Sequence, residues 1–217
     1  MRSALALVLA TFFLTACTTP LAVPDLDYAK ISDEVVVVGD LQGGHGSGVL
    51  ISADVLILTN GHVADHADSH DEMQVQFRDG TGAVAKVVWN AGSGSGSPDV
   101  ALLRIENPKQ YPFAEIGTEK LYVGQPVFAI GNPIFFGWTI TWGHISAFHR
   151  DLSSQGSAKD LIQTDLSIEH GSSGGGLFDK DGKLIGLPNA ADPGNAVISF
   201  AVARDTLVEQ LALHTVP

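Results

Sequence analysis

From Val35 onward the sequence is a succession of short apolar runs broken by Gly, Pro, Asn and Asp. That pattern limits the fold more than any other feature. The runs that read as strands are Val35–Val38, Ser47–Ser52, Val55–Thr59, Gln74–Phe77, Ala83–Asn90 and Val100–Ile105. A second group follows at Pro126–Ile130, Trp138–Phe148, Leu161–Thr164, Gly175–Phe178, Leu184–Leu187 and Val197–Val202. Many short strands at close spacing, with turn residues between them, predict an all-β sandwich or barrel. Regular alternation of strand and helix is missing, which argues against a parallel sheet. The one helix predicted lies at Arg204–Leu213, where Leu207, Val208 and Leu211 share a face at helical spacing. The 24 glycines and 10 prolines supply the turns that such a fold needs, and 45% hydrophobic residues supply its core.

The first residues read differently. Met1-Arg2-Ser3 is a basic end, Ala4 to Ala16 is apolar, and Cys17 follows at once. The apolar run is too short to span a bilayer and has the size of a secretory signal. Leu14-Thr15-Ala16-Cys17 resembles the lipobox of bacterial lipoproteins, which implies cleavage before Cys17 and acylation of its thiol. The expected organisation is a signal peptide at 1–16, a lipid-anchored tether at 17–31 and a catalytic domain at 32–217. Cys17 is the only cysteine, so the exported fold has no internal disulfide. A formal charge of −12 makes a poor nucleic-acid binder, because phosphate contacts need a basic face.

Three places carry residues suited to acyl transfer. "LTNGHVAD" sets His62 just after an apolar strand, "SPDVALLRI" sets Asp99 just before another, and "GSSGG" sets Ser173 among glycines. A serine hydroxyl is a weak nucleophile until an imidazole removes its proton. A carboxylate on the other ring nitrogen fixes the tautomer and stabilises the imidazolium. Two backbone N–H groups must then hold the oxyanion, and Gly171 and Ser173 are placed to donate them. The chain order His, Asp, Ser is one of three unrelated orders known for this triad.

These blocks, with "VGQPVFAIGNP", "GWTITWGHISAFHRD", "IQTDLSIEHGSSGGGLFD" and "VISFAVA", resemble the protease domain of the HtrA family. That family comprises chymotrypsin-fold serine proteases of the bacterial envelope. The similarity runs from about Val35 to Leu213. It implies two six-stranded antiparallel β-barrels, the first at about 32–110 and the second at about 120–203, with a C-terminal helix at about 204–213. It implies protein or peptide substrates and no cofactor. It also implies that Ile168 sits in the primary specificity pocket, while Ser199, Phe200 and Ala201 line it and pair with substrate backbone. Ser167 stands where a carboxylate would select Lys or Arg, so the expected preference is a small or medium aliphatic residue before the scissile bond. Two departures stand out. Ser172 replaces the family's usual asparagine, and the sequence ends at Pro217, so no PDZ domain is expected.

Competing readings exist. Gly171 to Gly175 also fits the G-x-S-x-G nucleophile elbow, with Asp205 and His214 completing a Ser-Asp-His order, which would make the chain an esterase. An elbow must lead into a helix, whereas "GGGLFDKDGKLIG" leads into a turn. An inactive peptide-binding barrel is the third reading, and it is disfavoured by the presence of all three triad residues. His66 and His70 lie among carboxylates without a known metal-ligand spacing, so no metal is expected. His144, His149 and His170 read as barrel or rim residues. Asp179 and Asp181 lack the glutamate that closes a calcium loop, and Asp181-Gly182 reads as a hairpin turn.

Overall fold

The computed structural model describes residues 26–40, 44–106, 110–155, 158–192 and 195–214. The signal segment, Cys17 and most of the tether lie outside these residues. Six strands, β1 (Val35–Gly39), β2 (His45–Leu50), β3 (Leu56–Thr59), β4 (Glu72–Gln76), β5 (Gly82–Asn90) and β6 (Ala101–Ile105), close into one barrel in the order β1-β2-β3-β6-β5-β4. Six more, β7 (Pro126–Gly131), β8 (Thr139–Arg150), β9 (Leu161–Thr164), β10 (Gly176–Asp179), β11 (Leu184–Asp192) and β12 (Asn195–Ala203), close into a second in the order β10-β11-β12-β9-β8-β7. Every pairing within the two barrels is antiparallel.

Three apolar clusters explain why several strands read as continuous hydrophobic runs. Val36, Val38, Leu50, Ile57 and Leu103 fill the first barrel, and Val127, Ile145, Ile162, Leu177 and Ile185 fill the second. The third cluster lies between the barrels. There Val35, Val49, Leu58 and Leu102 meet Phe128, Ile130 and Phe178. Strands facing this seam are buried on both faces, so the usual in–out alternation disappears. β4 borders no such seam, and its burial does alternate. Each fully buried Leu, Ile or Phe contributes about 1.5–3 kcal/mol, so the seam is a major part of the fold's stability.

The N-terminal run read as tether is folded at its end. Residues Tyr28–Ser32 form a short helix, α1, capped by the Asp27 side chain, which accepts from the Lys30 amide at 3.1 Å. Tyr28 packs edge-on against Phe128 at 5.4 Å and against Trp142 at 5.3 Å, and Ile31 enters the core. The physical reason is two apolar side chains at i and i+3, which cover the open end of the seam. A second short helix, α2 (Gly61–Ala64), was also not expected.

The C-terminal helix, α3, spans Arg204–His214. Leu207 is buried and Leu211 packs beside it, but Val208 is 48% exposed and Gln210 takes a buried position instead. The helix lies along β11 and β12, so a narrow stripe is enough to dock it.

Candidate active site

β3 ends at Thr59, Asn60 takes an extended backbone, and α2 starts at once. His62 therefore sits in the first turn of a short helix at the edge of the first barrel. Asp99 lies where the chain turns into β6, and its φ of +52° is a left-handed conformation that Asp tolerates better than most residues. Three polar contacts fix the relation between the two. The His62 amide donates to Asp99 Oδ1 at 2.8 Å, and His62 Nδ1 stands 2.9 Å from Asp99 Oδ2. The Asn60 side chain donates to the Asp99 carbonyl at 3.0 Å. An ionised carboxylate only accepts, so the proton is on Nδ1 and Nε2 is left as an acceptor. Asp99 is 2% exposed while the His62 side chain is 39% exposed, which leaves the ring open to a reactant.

The serine turn rests on the first barrel through Ser47 in β2. The Ser47 amide donates to the Ser173 carbonyl at 2.8 Å, and Ser47 Oγ donates to the Gly171 carbonyl at 2.7 Å. The same Oγ accepts from the Asn132 amide at 3.0 Å. His170 is tied outward, its carbonyl accepting from the Ile134 amide at 2.9 Å. With these carbonyls engaged, the Gly171 and Ser173 amides donate to no other group among the described residues.

Two glycines make the turn possible. Gly171 has φ +94°, and a Cβ there would run into the Asn132 carbonyl and the His45 ring. Gly174 has φ +81°, and a Cβ there would run into Thr59 Oγ1 and the Ser47 carbonyl. The observed need is close packing of the turn on the segments beneath it.

His62, Asp99 and Ser173 converge at the junction of the barrels, but the link between them runs through Asn189. Ser173 Oγ donates to the Asn189 carbonyl at 3.2 Å, and the Asn189 side-chain amide donates to Asp99 Oδ2. Among the described residues no hydrogen bond joins Ser173 to His62. Such bonds are often long in unliganded sites and tighten when a substrate arrives.

The other predicted residues fall elsewhere. Ile168 is 7% exposed and lines a cavity of about 180 Å³ with Ala129, Ile130, Ser167, Ser172 and Pro188. Ser199, Phe200 and Ala201 do not line that cavity. Ser199 is buried with its hydroxyl 2.7 Å from Thr164 Oγ1, Phe200 joins the seam, and Ala201 faces the second barrel's interior. Their strand has β9 on one edge and β11 on the other. Its backbone is thus already paired over this stretch, which corrects the expectation that it pairs with substrate.

The competing constellations come apart. The turn after Ser173 leads into strand β10 rather than a helix. His214 lies against Trp89 with ring centroids 4.6 Å apart and the planes tilted by 31°, and Asp205 pairs with its neighbour Arg204. His66 faces Asp40 and His70 faces Asp68, each at 3.7 Å, so the two imidazoles engage different carboxylates. His144 and His149 are rim residues beside Asp165 and Asp160. Asp179 accepts the amides of Asp181 and Lys183, each at 2.9 Å, as a tight turn with Gly182 at φ +76°. Among the described residues no group of three or more His, Cys, Asp or Glu is arranged to hold a metal.

Sequence reasoning missed Ser47 and Asn189. The signal for Ser47 is a serine between two glycines inside a strand, "GSGV", where small neighbours let another backbone come close. Asn189 carries no such signal.

Residues 46–187 match the family model described as a trypsin-like peptidase domain. The chain is 40% identical over 179 residues to a probable periplasmic serine protease do/HhoA-like of Haemophilus influenzae, covering 77% of this chain and 36% of that protein. It is 40% identical over 162 residues to the periplasmic serine endoprotease DegP of Escherichia coli, covering 72% of this chain and 33% of that one. Among solved structures, the HtrA-type protease AlgW with tripeptide superposes with a TM-score of 0.75 at 32% identity, over 86% of this chain and 63% of that one. The chain thus spans about a third of the length of the curated relatives it matches.

Proposed function

Because this chain belongs to the trypsin-like peptidase family, as an HtrA-like protease domain of chymotrypsin fold, we propose that it is a serine endopeptidase using Ser173 as nucleophile. The observation that carries this is the buried Asp99 carboxylate bonded to both the amide and Nδ1 of His62, beside a serine turn whose Gly171 and Ser173 amides donate to nothing else described.

The chemistry proceeds in two halves. The Ser173 hydroxyl leaves the Asn189 carbonyl by rotation about χ1 and gives its proton to His62 Nε2. Its oxygen then attacks the carbonyl carbon of a peptide bond. The carbonyl oxygen becomes an oxyanion facing the Gly171 and Ser173 amides, which carry no reorganisation cost because the turn already fixes them. Asp99 stabilises the imidazolium and keeps its tautomer. Collapse of the intermediate expels the amine, which takes the proton from His62, and leaves an acyl group on Ser173. Water then repeats the cycle, with His62 as base, and releases the acid.

Protein or peptide substrates in the envelope follow from the relatives' printed periplasmic names. A preference for a small or medium aliphatic residue before the scissile bond is supported by Ser167, which stands where a carboxylate would select Lys or Arg, although Glu169 also lines the cavity beside Ile168. Export and acylation at Cys17 are part of the same proposal, and the lipobox-like Leu14 to Cys17 supports them.

The test uses a fluorophosphonate probe, casein and a short-chain ester on purified protein. Labelling and casein cleavage that both vanish in Ser173→Ala are expected. Ester turnover without casein cleavage would favour an esterase, and no labelling at all would favour a binding module.

A further inference from the structure

A cavity of about 480 Å³ lies between α1, the segment 111–115 that leads out of the first barrel, and the turn that joins β10 to β11. β10 runs away from Ser173 and β11 runs back towards Asn189, so their connecting turn is at the far end from the proposed chemistry. The walls are fixed by backbone bonds and packing. The Ala114 amide donates to the Leu50 carbonyl at 2.8 Å, and the Leu184 amide donates to the Glu115 carbonyl at 2.9 Å. Tyr111 stacks on Phe77 with ring centroids 3.8 Å apart. A Cβ on Gly182 would meet the Ile31 side chain, so the turn lies directly against α1.

Glu34 lines this cavity and is 8% exposed. Its backbone is held at both ends, the amide donating to the Ile31 carbonyl at 3.1 Å and the carbonyl accepting from the Leu50 amide at 2.8 Å. Its carboxyl makes no hydrogen bond or ion pair among the described residues. A buried carboxyl without a partner costs stability, and an incoming donor relieves that cost. Most other charged groups around it are committed. Lys183 pairs with Glu115, Asp181 with Lys180, Asp33 with Arg78, and Asp27 caps α1. The exception is the Lys30 ammonium at the exposed rim, which has no ion pair among the described residues. Asp27, Glu34, Glu115 and Asp181 against Lys30 and Lys183 leave the lining negative when all are ionised, so its complement is a cation. Leu26 and Ile31 add apolar surface, and so does Phe113, which is 42% exposed.

We propose that this cavity binds an apolar chain ending in a primary ammonium, with the ammonium on the Glu34 carboxylate and the chain against Leu26, Ile31 and Phe113. The ligand is a free alkylamine or a lysine side chain of a polypeptide, which share this chemistry. The site is separate from the triad and does not depend on the endopeptidase reading. Lys30 repels the ligand's charge from the rim, so it weakens binding.

The test titrates hexylamine into the purified protein at pH 8 and pH 6, with hexanol and hexanoate as neutral and anionic counterparts. Amide NMR signals of Phe113 and Gly182 report occupancy. Saturable shifts with hexylamine are expected, and weaker ones or none with the other two. Only the ionised carboxyl pairs with an ammonium, and burial pushes the Glu34 carboxyl up to about 7. Its ionised fraction falls from about nine-tenths at pH 8 to about one-tenth at pH 6, so the apparent Kd should weaken about tenfold. Glu34→Gln should weaken binding at pH 8 by about tenfold or more, the scale of one bond to a charged group, and remove the pH dependence. Lys30→Met should tighten binding by about two- to fivefold, because a like charge is gone. Urea midpoints establish that both variants are folded. Nα-acetyl-lysine amide binding as tightly as hexylamine supports the proposal with a polypeptide lysine as ligand, and binding of hexylamine alone supports it with a free amine. No saturable shift with hexylamine in the wild type overturns the proposal. Hexanol binding as tightly, unchanged binding in Glu34→Gln, or binding lost in Lys30→Met overturns it equally.

Discussion

Ser47→Ala is the sharpest perturbation of the serine turn that leaves every proposed catalytic group in place. Ser47 is fully buried, and its hydroxyl makes two bonds, donating to the Gly171 carbonyl at 2.7 Å and accepting from the Asn132 amide at 3.0 Å. Alanine keeps the backbone bond from residue 47 to the Ser173 carbonyl but leaves those two buried groups unpaired. Each unpaired buried group costs about 1–3 kcal/mol, so the expected loss of stability for the two is about 2–6 kcal/mol. The functional loss should go beyond instability. With its carbonyl released, the Gly171–Ser172 peptide, which lies between the two peptides that carry the proposed oxyanion donors, can rotate, and the aim of the Gly171 and Ser173 amides loosens. Fluorophosphonate labelling at a temperature where the variant is fully folded should slow by about tenfold or more. Leu103→Ala is the control, since Leu103 lies in the first barrel's interior, and its loss costs a similar 2–5 kcal/mol. Urea midpoints give the stabilities, and labelling rates give the alignment. A stability loss under about 0.5 kcal/mol would refute the role assigned to Ser47, since that is the range of surface substitutions. Labelling slowed no more than in Leu103→Ala would refute it equally.

Other expectations follow from different parts of the molecule. Burial first, with a smaller contribution from Glu115, pushes the carboxyl of Glu34 up to about 7, against the pull of Lys30 and Lys183. A raised carboxyl favours the folded state while it stays protonated, so its contribution is intact below the unfolded value near 4.5 and is lost as pH rises through about 7. Glu34→Gln should therefore match wild type at pH 4 and exceed it at pH 8 by up to about 3 kcal/mol in urea unfolding, and a pH-independent difference would contradict this. Gly174→Ala should abolish labelling and lower the unfolding midpoint, because the new methyl meets the Ser47 carbonyl and Thr59 at a positive φ. Phe128→Ala, at the centre of the seam, should cost about 3–5 kcal/mol in denaturant unfolding. Cys17→Ser in the full-length chain should move the protein from the membrane fraction to the soluble one, since acylation is what anchors it in the proposal.

The barrel strands were legible because each one leaves a local mark, a short apolar run between turn residues, that depends little on distant partners. Val35–Val38 and Leu184–Leu187 were found as strands, although their two-sided burial reflects a seam that no local pattern reveals. The helix around His62 was missed because four residues carry no period, and it forms only as Asp99 captures the His62 amide. The approach of His62 to Asp99 was anticipated from a motif and its order, not from any physical property of positions 62 and 99 taken alone. Ser199–Ala201 was assigned to substrate because the strand resembles a family block. Its two occupied edges become visible only once the barrel closes. Asn189 was invisible for a related reason. Its role depends on a bulged strand, irregular between Pro188 and Ala190, that brings it against two residues far away in sequence.

The most direct measurement is the rate and position of fluorophosphonate attachment in wild type, His62→Ala and Asp99→Asn, read by mass spectrometry of the digested protein. Attachment at Ser173 alone is predicted, with the rate falling by roughly 10³-fold or more in each variant while the urea midpoints stay within the folded range. Attachment at any other serine, or unchanged reactivity once the imidazole is gone, would contradict the account.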